Sequence, residues 1–304
     1  MKSIMTTKIK LRKFMLGKMM PDFLFDFIVW TWRATGRKFL NVYEWILILF
    51  LFQKKKVVNL YHKRVAFKQV IDPKNGYIDK YIFLHGPYED YILDVIAKYL
   101  PSEGVMFDIG ANIGQHSLFA ASFLKGTGKV YAFEPVANLF DQMKKSAELN
   151  NFANLELINF ACGDNNSSGF MGTNNSNAGG SSLVVLDEAT EMVKVEIKRL
   201  DDIFNDLPKL NLIKMDVEGY EYAALKGGEN LILRTLPVII FEFSPMMYDK
   251  FDPSLSEKIL DFLLPHYELI DIADGDVIIK DKNLYLSYFR DRKRTQSNIL
   301  CLPK

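Results

Sequence analysis

The stretch from Val105 to Ser117, VMFDIGANIGQHS, constrains the fold of this chain more than any other. Its apolar start, Val105 to Phe107, ends at the acidic residue Asp108. This pattern is typical of a strand that is buried on both faces of a parallel sheet and ends where it reaches water. A glycine turn and a helix follow, and the first N–H groups of a helix suit a carboxylate. The stretch therefore predicts a strand, a glycine loop and a helix over Ile113 to Leu124 that together bind a nucleotide-like ligand.

The glycine loop has the pattern G-x-N-x-G, formed by Gly110, Asn112 and Gly114. A dinucleotide-binding loop has a glycine that lets the backbone approach a pyrophosphate, and Asn112 stands in its place here. Glu134 follows a second predicted strand, Lys129 to Phe133, 24 residues after Gly110, near the spacing at which an acidic residue binds a ribose diol. A glycine loop alone is common and says little about the ligand. Together with Asp108, Asn112 and Glu134, however, the loop favours adenosine with an amino-acid tail as the ligand.

Predicted strands and helices alternate after Glu134, which is typical of a doubly wound sheet whose ligand crevice lies at the carboxyl ends of the strands. The third strand, Leu155 to Ala161, leads into a turn with Asp164. We expect Ala161 and Asp164 to flank the adenine, although Asp164 could equally cap the turn.

Two later strands end in acidic residues. Asp216 and Glu218 follow the fourth strand, Leu210 to Met215, and Glu242 lies near the end of the apolar fifth strand, Val238 to Phe243. A lone buried acid is costly, so Glu242 is either a general base or the partner of a structural Lys or Arg. The three carboxylates could alternatively bind a divalent cation such as magnesium.

The candidates for a catalytic base are, in order, Asp216, Glu242, Glu218 and His116, the last of which is as well explained by packing or surface exposure. Near the crevice mouth, Glu89 and His85 either face the ligand or are simply solvated. A polar loop from Asn165 to Ser182 predicts a lid on the substrate side. That lid centres on Asn177, Gly179, Gly180 and Ser181.

The first 70 residues differ in composition from the rest. Residues 1–100 carry 18 Lys and Arg against 8 Asp and Glu, whereas residues 101–304 carry 20 against 29. We predict two domains: a basic, aromatic-rich helical extension over 1–70 and a ligand-binding domain over 71–304. The longest apolar run, Trp45 to Phe52, is too short to cross a bilayer, which takes about 20 residues. The extension therefore either lies on an anionic membrane face or packs on the protein or on a second copy in a homodimer.

Cys162 and Cys301 are the only cysteines, and no cleavable signal peptide precedes them. This composition favours a reducing cytoplasm, including the inner face of a membrane, without a disulfide framework. No His or Cys cluster suggests a tightly bound metal. We therefore expect no metal centre.

Six motifs, in order, resemble those of the FkbM family of S-adenosylmethionine-dependent methyltransferases: FDIGANIGQHS, AFEP, FACGD, NAGGSSL, KMDVEGYE and FEFSP. The match spans about residues 80 to 302. The resemblance implies an α/β class I methyltransferase (Rossmann-like) fold: a mostly parallel seven-stranded sheet with helices on both faces, a final antiparallel strand and, here, an N-terminal helical extension. It also implies O-methylation of a hydroxyl, for which a glycan or lipid-linked glycan is the favoured acceptor.

The resemblance also implies roles for individual residues. Asp216 and Glu218 would lie near the transferred methyl group. The cofactor-binding residues would be Asp108, Gly110, Asn112 and Gly114 at the methionine end, Glu134 at the ribose, and Ala161 and Asp164 around the adenine.

Three other functions remain as alternatives. A nucleotide-dependent dehydrogenase is disfavoured by the missing glycine. A non-catalytic membrane-associated module could keep the same fold. A methyltransferase that acts on nucleic acid is disfavoured, because the net acidic residues 101–304 would oppose phosphate binding.

Overall fold

The computed structural model describes residues 55–72, 76–173 and 191–304. These residues belong to one compact unit, Lys55–Lys304. The sequence before Lys55 lies outside the described residues. So does the predicted lid with Asn177, Gly179, Gly180 and Ser181.

The unit is built on an eight-stranded sheet. Numbered along the chain, its strands run from one edge to the other as β12 (Val277–Ile279), β11 (Tyr267–Asp271), β13 (Ser297–Pro303), β10 (Val238–Phe243), β9 (Leu212–Met215), β3 (Val105–Ile109), β4 (Lys129–Phe133) and β5 (Leu155–Ile158). The five strands from β10 to β5 are parallel to their neighbours, and β13 is antiparallel to both β10 and β11. The predicted fold class is confirmed, with one edge strand, β12, in addition to the seven that the sequence predicts.

Helices cover both faces of this sheet. They are α1 (Tyr77–His85), α2 (Asp90–Tyr99), α3 (Gln115–Leu124), α4 (Ala137–Asn150), α5 (Leu200–Ile203), α6 (Glu221–Gly227), α7 (Glu229–Thr235), α8 (Pro245–Tyr248), α9 (Leu255–Leu263) and α10 (Lys282–Asp291). Successive residues of a strand point to opposite faces. Met106 accordingly packs with α1 to α4, and Phe107 packs with the later helices. None of the helices described is long and apolar enough to span a membrane.

A β-hairpin precedes the first helix. It pairs β1 (Lys56–His62) with β2 (Val65–Ile71). Val58 and Leu60 are buried in the core on the α3 side of the main sheet. The predicted helical extension over 1–70 is therefore wrong for residues 56–70, which belong to this hairpin, because their apolar residues recur at every second position and form strands.

A small second sheet lies beyond β5. It contains β6 (Ala161–Cys162), β8 (Glu191–Lys198) and β7 (Ser167–Thr173). The predicted continuation of the third strand to Ala161 is wrong, since β5 ends at Ile158. Asn159 explains this end, because its side-chain amide donates to the carbonyl oxygens of Glu134 (2.8 Å) and Pro135 (3.1 Å).

Candidate active site

The loop between β3 and α3 depends on glycine at two positions. Gly110 has φ +77°, and a Cβ there would overlap the backbone carbonyl of Asp216 at the end of β9. Gly114 has φ +83°, and a Cβ there would lie 2.5 Å from Cγ of Met143 on α4. Both positions therefore need glycine for close contact with a neighbouring element as well as for left-handed backbone.

Glu134 binds this loop from the end of β4. Its Oε2 accepts a hydrogen bond from the backbone N–H of Asn112 (2.8 Å), and its Oε1 accepts one from Val136 (2.9 Å). Burial raises the pKa of Glu134 to about 7. The side-chain oxygen of Asn112 accepts from the N–H of Ile113 (2.8 Å), so Asn112 stabilises the turn that it occupies. The structure thus joins the predicted ribose-binding acid to the glycine loop.

Asp108 forms a buried pair with a lysine that the sequence analysis did not single out. Asp108 and Lys214 are direct partners across β3 and β9, and Nζ of Lys214 lies 3.8 Å from Oδ1 of Asp108. Ser117 on α3 donates a hydrogen bond to Oδ2 of Asp108, whereas Oδ1 accepts none from the described residues. Burial raises the pKa of Asp108. The carboxyl group is fully buried, and the residues that it contacts are Ser117 and Lys214.

Lys214 also reaches the end of its own strand. Its Nζ lies 3.5 Å from Oδ2 of Asp216 and 3.4 Å from the carbonyl oxygen of Gly110. Burial alone would lower the pKa of Lys214, but Asp216, Asp108 and Glu89 raise it above the ordinary value. The ammonium group therefore stays charged between the carboxylates.

Three carboxyl groups meet beside Lys214. Asp216, Glu218 and Glu242 each offer an oxygen, and these oxygens all lie within 4.8 Å of one another. β9 and β10 are parallel neighbours, with Met215 opposite Phe241, so Asp216 and Glu242 meet at the same edge of the sheet. We refer to these three residues as the acidic cluster.

Burial and mutual repulsion control ionisation in the acidic cluster. Burial, followed by the charge of Asp216, raises the pKa of Glu218 to about 8 and that of Glu242 to about 9. At neutral pH the cluster therefore holds protons. Its oxygens can exchange a proton with a bound group or stabilise a cation, and oxygen ligands of this kind also suit magnesium.

Glu221 fixes the loop that carries Asp216 and Glu218. Its buried carboxylate accepts hydrogen bonds from the N–H groups of Val217 (3.1 Å) and Gly219 (3.1 Å). The strand-to-helix loop is thereby held in one conformation, with Glu218 in left-handed backbone (φ 51°). Glu221 has a structural role here, as expected for an acid at a helix start.

His116 lies below the site surface. Its Nε2 is buried and has no hydrogen-bond partner among the described residues. Burial, followed by the positive charge of Lys214, lowers the pKa of His116 well below its ordinary value. A lowered pKa makes the imidazole a weaker base, and its burial keeps Nε2 from solvent, so both observations argue against a catalytic base at this position.

The predicted adenine-flanking residues lie on the second sheet. Ala161 is buried in β6, and Asp164 is exposed in the following turn. Oδ1 of Asp164 accepts a hydrogen bond from the side chain of Asn165 (2.9 Å). The ring of Tyr220 borders Gly163 in the same turn.

Glu89 and Tyr88 border the acidic cluster at the turn between α1 and α2. Burial, followed by repulsion from Asp216, raises the pKa of Glu89, and Lys214 opposes that rise. Gln115, the first residue of α3, accepts from the N–H of Tyr88 and donates to its carbonyl, both at 2.7 Å. Glu89 therefore faces the site. His85, by contrast, is exposed and packs against Tyr81.

The sequence analysis missed Lys214, Gln115 and Tyr88. A single Lys inside the apolar run Leu212–Met215 could have identified Lys214, because buried lysines are almost always paired. Nothing comparable in the sequence marks Gln115 or Tyr88, whose contact joins segments 27 residues apart.

Comparison with known proteins gives a consistent family. The model of the methyltransferase FkbM domain matches residues 108–269. The chain is 27% identical over 173 residues to Methyltransferase 1 of Beauveria bassiana, covering 50% of this chain and 66% of that protein. It is 26% identical over 162 residues to the hexuronic acid methyltransferase AglP of Haloferax volcanii, covering 50% and 61%. The match thus spans less than two thirds of each relative.

Similar solved structures include the methyltransferase FkbM from Methylobacillus flagellatus. It superposes with a TM-score of 0.42 and 17% sequence identity, over 74% of this chain and 54% of that chain.

Proposed function

Because the chain belongs to the FkbM methyltransferase family, we propose that it is an S-adenosylmethionine-dependent O-methyltransferase that acts on a hydroxyl of a glycan or lipid-linked glycan. One observation carries this proposal. The acidic cluster lies at the carboxyl ends of β9 and β10, and Glu134 lies at that of β4. These strands flank β3, whose glycine loop has no pyrophosphate-binding glycine.

The cofactor site in this proposal is the crevice around the β3–α3 loop. Glu134 binds the ribose, and the loop of Gly110, Asn112 and Gly114 holds the methionine end. Ala161 and Asp164 border the adenine. Asp108 is a positioning residue, because its buried carboxyl contacts Ser117 and Lys214.

The residues present fit this cofactor. Oδ1 of Asp108, which accepts no hydrogen bond from the described residues, and the carboxylate of Glu134 both lie next to the loop. When bound, the cofactor supplies a methyl group on a positively charged sulfur. The acidic cluster provides carboxyl oxygens that can stabilise such a cation.

The acceptor hydroxyl must also lose a proton. Asp216 is the first candidate for the base, because its side chain is 34% exposed and borders the crevice. Glu242, Glu218 and then His116 follow, and His116 comes last because its ring is buried. General-base catalysis is typically worth about 10² to 10⁴ in rate, and alignment of the reactants contributes further.

The acceptor class rests on family and charge. A relative named hexuronic acid methyltransferase supports a sugar acceptor. Residues 101–304 carry 20 Lys and Arg against 29 Asp and Glu, which disfavours nucleic acid. For residues 1–54 we propose contact with an anionic membrane surface that carries a lipid-linked acceptor, with a homodimer interface as the alternative.

Calorimetry and methyl transfer together test the proposal. The full chain is titrated with S-adenosylmethionine and then incubated with the labelled cofactor and a panel of glycans and lipid-linked glycans. We expect saturable binding and label in at least one hydroxyl-bearing acceptor. Glu134→Ala should lose cofactor affinity, whereas Glu257→Gln, an exposed acid on α9, should not. Absence of cofactor binding at millimolar concentration would overturn the enzyme proposal, and hydride transfer with a nicotinamide nucleotide would favour a dehydrogenase.

A further inference from the structure

Aromatic side chains gather at the mouth of the proposed active site. Tyr77 and Tyr81 lie on α1, and Tyr88 lies in the turn that follows it. The Tyr88 ring makes edge-to-face contacts with Tyr81 (centroids 5.2 Å apart) and Tyr77 (6.2 Å). Tyr77 is 55% exposed. We refer to these three residues as the tyrosine platform.

The tyrosine platform is tied to the start of α3 by hydrogen bonds. Two bonds of 2.7 Å from Gln115 fix the backbone of Tyr88 to the first residue of α3. Burial, followed by the nearby carboxyls of Glu89 and Asp216, raises the pKa of Tyr88.

A second set of bonds fixes the adjacent helix start. The Tyr91 hydroxyl donates to Oε1 of Glu89 (3.3 Å) and accepts from the side-chain amide of Asn298 (2.6 Å). Asn298 on β13 is the direct strand partner of Glu242 on β10. The turn that carries Tyr88 is therefore held in place relative to the acidic cluster.

We propose that the tyrosine platform is the acceptor subsite, on which a neutral sugar ring of the acceptor stacks so that its hydroxyl reaches the acidic cluster. The inference rests on the proposed function, since it assigns part of the same site. Aromatic faces bind apolar C–H surfaces, and a sugar ring combines such a surface with hydroxyl groups. A free glycan and a lipid-linked glycan would present the same ring.

The carboxyl groups near the platform disfavour an acidic sugar. Glu89 and the acidic cluster place four carboxyl groups beside it, and Lys214, the cation that faces them, is already shared between Asp108 and Asp216. Like charges within this set already raise the pKa of Glu218 and Glu242, and a uronic acid would bring a further negative charge next to them. Repulsion of this kind is a common source of specificity.

The test uses glycoside binding, which does not depend on turnover. The full chain, saturated with S-adenosylhomocysteine, is titrated with methyl α-D-glucopyranoside, methyl α-D-mannopyranoside and the methyl glycoside of glucuronic acid. Binding is followed by saturation-transfer NMR. We expect at least one neutral glycoside to bind and the glucuronide to bind at least about ten-fold more weakly.

Substitutions then locate the subsite. Tyr77→Ala and Tyr88→Leu should each weaken the neutral glycoside about ten-fold, whereas Tyr88→Phe should keep most of the affinity because the ring remains. Tyr61→Ala is the matched control, since Tyr61 is also a tyrosine with a 57% exposed side chain but lies near the turn of the β1–β2 hairpin. Thermal unfolding of each variant confirms that it is folded.

Three outcomes overturn the subsite. The first is that the unmodified chain binds no glycoside. The second is that the Tyr77→Ala and Tyr88→Leu variants bind the neutral glycoside as tightly as the unmodified chain does. The third is that the glucuronide binds as tightly as the neutral glycosides or more tightly. Binding of S-adenosylhomocysteine is measured first in every variant. Its absence in the unmodified chain would contradict the proposed function itself, whereas its presence with any of the three outcomes would contradict only the subsite.

Discussion

Asp108 and Lys214 are buried cross-strand partners at the centre of the sheet, with Oδ1 and Nζ 3.8 Å apart. Both side chains point to the same face, because paired residues of adjacent strands share their orientation. The pair joins the strand before the glycine loop to the strand before the acidic cluster. Its charge balance therefore affects both halves of the proposed site.

Replacing Lys214 by Met should destabilise the protein by about 3–5 kcal/mol, because it leaves a buried carboxyl group without its cation. Urea-induced unfolding measures the loss. The double variant Lys214→Met/Asp108→Asn should recover most of it, since neither buried charge remains. If the double variant loses the sum of the two single losses, the side chains are not coupled.

Replacing Gly110 by Ala should be more harmful than its left-handed backbone alone explains. A Cβ at Gly110 overlaps the carbonyl of Asp216, whereas a Cβ at Gly126, also left-handed (φ +84°), meets nothing within 4 Å. Gly126→Ala is therefore the control for the backbone cost. We expect Gly110→Ala to lose about 1–3 kcal/mol more stability than the control and to weaken cofactor binding. Equal losses would contradict the close contact.

Cofactor affinity should depend on pH through Glu134. A ribose diol donates hydrogen bonds to the ionised carboxylate, and burial raises the pKa of Glu134 to about 7 in the free protein. Below that pH Glu134 is protonated in the free protein, and its carboxyl group must release a proton when the cofactor binds. Affinity should therefore fall about ten-fold per pH unit below pH 7. Calorimetry in buffers of different ionisation enthalpy measures this proton release.

Glu134→Gln provides the comparison for that pH dependence. It should bind more weakly and with little dependence on pH in the same range. Asp108 also acts on Glu134 electrostatically, and burial raises its own pKa, so a pH dependence that persists in Glu134→Gln would assign the proton to Asp108.

Local pattern was sufficient to predict most of the sheet. The strands Lys129–Phe133 and Val238–Phe243 agree residue by residue with the structure, because continuous apolar runs bounded by turns are typical of buried parallel strands. The helical prediction for the hairpin residues was wrong because of the sequence around them. The alternating residues, Val58 and Leu60 among them, follow a basic, aromatic-rich segment whose composition favoured helix.

The acidic residues of the site could be named from their positions after strands, but their environments could not be predicted. Whether Glu242 meets Asp216 or a structural cation depends on which strands are neighbours. The burial of His116 depends likewise on the packing of α3. Gln115 and Tyr88 meet only through the tertiary fold, so no local pattern could identify their contact.

Methyl transfer should increase with pH as the acidic cluster loses its protons. Burial and like charges raise the carboxyl pKa values of Glu218 and Glu242 to about 8 and about 9, and the ionised form is the one that accepts a proton. We expect kcat/KM to rise through this range, with apparent values that belong to the cluster as a whole.

Three variants assign the roles within the cluster. Asp216→Asn should lower kcat by about 10² to 10⁴, whereas Glu218→Gln should move the pH rise to lower pH because it removes a like charge. Glu257→Gln should change neither. Full activity in Asp216→Asn would transfer the role of base to Glu242. We expect activity to survive EDTA, and loss of activity that magnesium restores would instead make the cluster a metal site.

The hairpin decides where the N-terminal segment can be removed. Residues 55–304 form one compact unit, so a chain beginning at residue 55 should fold and bind the cofactor. A chain beginning at residue 65 lacks β1 and removes Val58 and Leu60 from the core. It should lose more than about 3 kcal/mol of stability in urea-induced unfolding.

Sedimentation with vesicles that contain anionic lipid then tests the membrane proposal on a folded protein. The full chain should sediment with the vesicles and the 55–304 chain should not, because the basic, tryptophan-bearing segment is absent from it. Equal sedimentation of the two chains would reject a membrane role for residues 1–54.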